Sequence, residues 1–134
     1  MTNPDENVRL NDLMFRALDH GIESVSAGGS LIPFVMSESG INRFATETLE
    51  EGKLKAEEFL LNLTEEQVAA LVYDGYQTRE GTKYDAIFVK AYDKDQEKGI
   101  WIAQAYKPKR LLKKFTVIGN PVFIENIENP LFKK

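Results

Sequence analysis

A chain of 134 residues and 15.2 kDa has the size of one domain and leaves no room for two independent cores. Its 43% hydrophobic and 28% charged residues are those of a folded globular protein and exclude disorder, while the absence of cysteine excludes disulfide frameworks, thiolate metal sites and thiol nucleophiles. The net charge of -4 is unevenly spread: residues 1–103 carry 19 acids and 10 bases, and residues 104–134 carry 2 acids and 7 bases.

Neither repeats nor a Gly/Ser/Pro-rich linker divide the chain, so a single α+β domain over residues 1–134 is expected. The start, Met1-Thr2-Asn3-Pro4-Asp5-Glu6, is acidic where a signal peptide needs a basic, then apolar run, and no stretch has the eighteen or so apolar residues of a membrane span. A cytoplasmic protein with no membrane partner is the resulting expectation.

In chain order, Asn3 can cap a helix with Pro4 at its first position, and Leu10, Leu13, Met14, Ala17 and Leu18 follow at helical spacing. Gly21 marks its predicted end, which places the single histidine, His20, in the last turn beside the free carbonyls. A catalytic His20 would need a serine and a carboxylate that the sequence does not specify. The pair Gly28-Gly29 lacks the spacing of a phosphate-binding loop and precedes an apolar stretch of strand type, Leu31–Met36, whose Pro33 suits a sheet edge. A turn at Ser37–Gly40 and a second strand at Ile41–Ala45 complete a hairpin.

Thr46 or Thr48 caps the second predicted helix, in which Leu49, Gly52, Ala56, Phe59, Leu60 and Leu63 share one face. Gly52 is costly within a helix and implies that the backbone closely approaches a bulky sheet residue. A four-stranded antiparallel meander is expected next: a long strand from Val68, a turn at Glu80-Gly81, then Tyr84–Tyr92, Ile100–Lys107 and Phe115–Ile124. With that turn, facing residues pair Tyr76 with Asp85 and Asp74 with Ile87.

The strand Tyr84–Tyr92 is apolar on both faces, so it is central and needs cover on both sides. Tyr73, Tyr84, Tyr92, Trp101 and Tyr106 are the candidate interface or ligand residues of the less covered face, with a homodimer as the simplest partner. A curled sheet and the C-terminal segment are the alternative cover.

Polar residues within the sheet, Asp74, Asp85, Lys90 and Gln104, call for a reason. Asp74, Tyr76 and Asp85 are the candidate catalytic set, either as acid-base groups in a cleft or as buried hydrogen-bonding partners. Asp85 and Lys90 only loosely fit a metal-dependent nuclease, because the acid expected two residues before the lysine is missing and Val89 directly precedes it; no metal or cofactor is called for. Lys107, Lys109, Arg110, Lys113 and Lys114 place five cations in eight residues around Leu111-Leu112. This basic patch suits an acidic protein partner, a second copy or, more weakly, nucleic acid. The two leucines are expected to face inward.

The motifs Gly29-x-Leu31-Ile32-Pro33-Phe34, Arg43-Phe44, Tyr73-Asp74-Gly75-Tyr76, Tyr84-Asp85-Ala86, Ala103-Gln104-x-Tyr106 and Gly119-Asn120-Pro121 together resemble a family of small, uncharacterised bacterial proteins. The resemblance implies a bacterial intracellular protein with this order of elements and supplies no mechanism. The leading expectation is thus a non-enzymatic interaction module, self-associating through the aromatic face. The alternative is a small-molecule enzyme or binder built on Asp74, Tyr76 and Asp85.

Overall fold

The computed structural model describes residues 7–132. Its elements are α1 (Val8–Ser26), β1 (Phe34–Ser37), β2 (Gly40–Arg43), α2 (Leu49–Leu61), β3 (Val68–Arg79), β4 (Thr82–Asp93), β5 (Lys98–Lys107) and β6 (Thr116–Glu128). They form one six-stranded antiparallel sheet in the order β2-β1-β3-β4-β5-β6. The expected meander corresponds to β3–β6, but it is not a separate four-stranded sheet. The β1–β2 hairpin extends it, because β1 pairs with β3, opposing Val35 to Leu71. Pro33 therefore precedes an internal strand instead of lying on an edge, and its carbonyl accepts from the Phe44 N–H at 2.9 Å.

The β3–β4 turn matches expectation. Tyr76 faces Asp85 and Asp74 faces Ile87. Glu80 and Gly81 both have positive φ, 49° and 81°, as a two-residue hairpin with right-handed strand twist requires.

The two helices lie on opposite faces, which answers the need of β4 for cover on both sides. On one face α1 buries Leu10, Leu13, Met14, Ala17, Leu18 and Val25 against Val72, Ile87, Val89 and Ile102. On the other, Ala56 and Leu60 of α2, with Leu131 from the C-terminal segment, pack on Val35, Leu71, Tyr73, Phe88 and Tyr92. Gly21 does not end α1: it is buried within the helix, which continues to Ser26 because Val25 extends the apolar stripe. The predicted start of the helix at Asn3 and Pro4 lies outside the described residues. As a result His20 stands inside the helix, its ring edge-on to Phe34 at 5.1 Å and its Nε2 2.8 Å from Nη2 of Arg43. A guanidinium only donates, so Nε2 is the acceptor.

Thr48 is the cap of α2, its hydroxyl accepting from the Glu51 N–H at 3.1 Å. Gly52 is forced by proximity as expected, but to the strand-to-helix connection and not to a sheet side chain: a Cβ there would lie 2.5 Å from the Phe44 carbonyl oxygen.

One polar cluster ties the distant parts together. Fully buried Asp93, at the end of β4, accepts from Arg9 Nε (2.6 Å) and Nη2 (3.0 Å), from Gln67 Nε2 (2.8 Å) and from the Asp95 N–H (2.9 Å). Asn129 adds the C-terminal segment, donating to the carbonyls of Asp93 (2.8 Å) and Gln96 (2.7 Å) while its own carbonyl accepts from the Leu131 N–H at 2.8 Å.

Candidate functional site

The alternation of side chains along β-strands divides the candidate residues between the two faces. Tyr73, Tyr84, Tyr92 and Trp101 project on the α2 side. Asp74, Tyr76, Asp85, Gln104 and Tyr106 project on the α1 side. The five aromatic candidates thus do not line one face, since Tyr106 sits opposite the others in the sheet.

On the α2 side the aromatics form a packed layer. Tyr73 stacks on Phe88 at 5.3 Å, and Phe88 meets Trp101 at 6.0 Å. Tyr73 and Tyr92 are buried, Tyr84 and Trp101 partly so. Burial pushes the Tyr73 hydroxyl up to about 12, and it drives Tyr92 higher still. Lys90 lies half-buried in this layer, its ammonium 4.9 Å from the Trp101 ring centroid and 5.8 Å from that of Tyr73, while Lys53 of α2 covers Tyr73 at 4.2 Å. Burial, reinforced by the charge of Lys53, lowers the Lys90 pKa. At the β3-start end of this face a cavity of about 420 Å³ opens between α2, the sheet and the C-terminal segment. Leu60, Leu61, Leu71, Tyr92 and Pro130 form its apolar walls, and Glu57, Glu128 and Lys90 supply its charges. At the opposite end, Arg79 reaches across this face to the carbonyls of Ile118 (3.0 Å) and Asn120 (3.2 Å), so the sheet curls on itself. Curl, α2 and Leu131 together cover the middle of the α2 side and leave an open cleft at each end.

On the α1 side, the expected meeting of a carboxylate and a phenol occurs with a different tyrosine. Tyr106 donates its hydroxyl to Asp74 Oδ1 at 3.0 Å, whereas Tyr76 is exposed with Lys83 over its ring at 4.3 Å. The β4–β5 register explains the choice, because Tyr106 faces Asp85 across one strand and reaches past it to Asp74 on the next. Burial raises the Asp74 pKa, opposed by the Tyr106 hydrogen bond and assisted by the nearby Asp85 charge. The Tyr106 hydroxyl is pushed up by the same burial and by Asp74. Asp85 and Tyr106 line a cavity of about 540 Å³ whose rim holds Lys83, Lys107, Arg110, Lys113 and Lys114. Gln104 is structural: its amide donates to the Ala105 (2.9 Å), Ile118 (3.2 Å) and Gly119 (3.3 Å) carbonyls and holds the irregular β5–β6 register.

The basic patch is the connection from β5 to β6. Arg110 and Lys113 pair through reciprocal backbone bonds of 2.9 and 3.0 Å, forming a small hairpin with Leu111 and Leu112 at its tip. Both leucines face solvent, at 99% and 95% exposure, contrary to the expectation that they turn inward. A two-residue tip on a paired hairpin has no neighbouring element to turn toward, and Phe115 takes the inward role by packing on Tyr106 at 5.5 Å. The sequence signal for an outward tip was present: an apolar pair flanked on both sides by cations with no strand period.

Among the described residues, no cluster of three or more His, Asp or Glu side chains is arranged to hold a metal ion, and no helix is long and apolar enough to cross a membrane. Comparison with family models, curated proteins and solved structures finds no match for this chain.

Proposed function

We propose that this protein is a non-enzymatic interaction module whose contact element is the 107–116 hairpin. The observation that carries this reading is the nearly complete exposure of Leu111 and Leu112 at the tip of a projection bearing five cations. Two exposed leucines on a hairpin gain nothing from the fold, and burying each against a partner is worth about 1.5–3 kcal/mol. The flanking lysines and arginine add attraction to an acidic surface and orient the approach. Self-association is the simplest use, since residues 1–103 of the same chain are strongly acidic. Sedimentation of the native chain and of the L111S/L112S variant at two salt concentrations tests it. Association that weakens in high salt and disappears in the variant supports the reading; identical behaviour of the two proteins, whatever it is, removes the hairpin from it.

A second reading draws on Asp74 and Tyr106. A half-buried carboxylate with a raised pKa lies beside a cavity rimmed by cations, an arrangement that suits a small anionic ligand held by Lys83, Lys107 and Lys114 with Tyr106 and Asp85 inside. A thermal-shift screen against phosphates, nucleotides and short carboxylates tests this, and a midpoint raised by none of them counts against it.

A further inference from the structure

The hairpin has a complementary receptor on the same molecule, and we propose that its leucine tip docks into the 420 Å³ cavity between α2 and the sheet of a second copy. The inference rests on the reading of the hairpin as the contact element and names its partner.

Three properties match. The cavity walls of Leu60, Leu61, Leu71, Tyr92 and Pro130 are apolar, and its volume lies in the range of about 300–1,000 Å³ that holds compact apolar ligands. Glu57 and Glu128 stand at the cavity where Arg110 and Lys113, immediately either side of Leu111-Leu112, would arrive. Lys90, the one cation among the described residues of the lining, has its charge turned onto the rings of Trp101 and Tyr73, at 4.9 and 5.8 Å. This cation–π engagement reduces its repulsion toward an incoming basic tip.

The positions also exclude docking within one molecule. The hairpin connects the end of β5 to the start of β6, while the cavity lies where β3 starts and where β4 and β6 end, involving Leu71, Tyr92 and Glu128. Tip and cavity thus sit at opposite ends of the sheet. Two copies running antiparallel can exchange tips reciprocally and close as a dimer, whereas parallel copies extend head to tail.

The test is a charge swap read by sedimentation at low salt. R110E/K113E in the hairpin and E57K/E128K in the cavity should each raise the self-dissociation constant about tenfold or more, and the protein carrying all four changes should recover association. A 1:1 mixture of the two variants should also associate, because both contacts between unlike partners then pair opposite charges. Far-UV circular dichroism and the urea midpoint of each variant exclude unfolding as the cause of loss. If L111S/L112S abolishes association while E57K/E128K leaves it unchanged, the hairpin remains the contact element and the proposed receptor is wrong. If the native chain stays monomeric but binds phosphatidylserine vesicles or a soluble polyacid through the same leucines, the occupant is another surface and self-docking is again overturned.

Discussion

Arg9 in the first turn of α1 and Asp93 at the end of β4 meet through two hydrogen bonds, at 2.6 and 3.0 Å, across 84 positions of sequence. Asp93 is fully buried while Arg9 is about half exposed. The pair therefore acts chiefly as a solvated clamp on a buried acceptor. Asp93→Ala removes the acceptor of Arg9, Gln67 and the Asp95 N–H together and is expected to cost about 3 kcal/mol. Arg9→Met leaves the other two donors in place and should cost about 1 kcal/mol. Urea denaturation at neutral pH measures both.

The same cluster sets the acid limb of stability. Burial alone would raise the Asp93 pKa, but the Arg9, Asp95 and Gln67 hydrogen bonds outweigh it and the folded value is lowered. The unfolded state then binds a proton more readily than the folded state. This contribution is complete above the ordinary aspartate value of about 3.9 and disappears as pH falls through the lowered folded value. A pH series of urea midpoints should show a shallower acid limb for Asp93→Asn than for the native chain.

Asp74 behaves in the opposite sense. Its folded pKa is raised, so the stability it adds is present below the unfolded value and is lost as pH rises through the folded one. Tyr106→Phe removes the hydrogen bond that holds this pKa down, and carbon-detected NMR titration of the Asp74 carboxyl should move further upward. A downward shift would mean that solvent entry outweighs the lost bond.

Gly52→Ala sets two effects against each other. Alanine gains about 1 kcal/mol of helix propensity, yet its Cβ would lie 2.5 Å from the Phe44 carbonyl oxygen, a backbone atom that can retreat only by moving the strand-to-helix connection. The clash should win, for a net loss of about 1–3 kcal/mol. A thermal midpoint above that of the native chain would show that the connection yields.

L111S/L112S should leave the fold untouched. Both side chains are solvated, so the urea midpoint is expected to stay within about 0.5 kcal/mol of the native value.

Much of this architecture was legible in the sequence because local rules dominate it. The Glu80-Gly81 turn fixes the β3–β4 register, which placed Asp74, Tyr76 and Asp85 correctly before any tertiary information. The two-sided apolar pattern of β4 announced cover on both faces. What the sequence did not yield depends on tertiary contacts. The pairing of β1 with β3 spans α2, so no turn encodes it. Tyr106, not Tyr76, satisfies Asp74 because the β4–β5 register aligns them, and the charged turn between those strands does not specify that register. Gly21 looked like a helix stop because glycine is a helix terminator when exposed, whereas here the helix is held on the sheet by Val25 beyond it. The leucine tip runs against the default that apolar residues turn inward, and the cations on both sides of it are the local mark of the turn that the Arg110–Lys113 backbone pairing closes.

The irregularity of β6 also bears on how this protein behaves when concentrated. Gly119, Asn120 and Pro121 all fall opposite Gln104, a second irregularity follows at Ile124, and Pro121 has no N–H to offer. The other open edge, β2, has only four residues. Neither margin presents a long, straight row of free amides onto which further strands could add. Crowded molecules should therefore meet through side chains in reversible contacts, and thioflavin fluorescence should stay flat at concentrations where light scattering already rises.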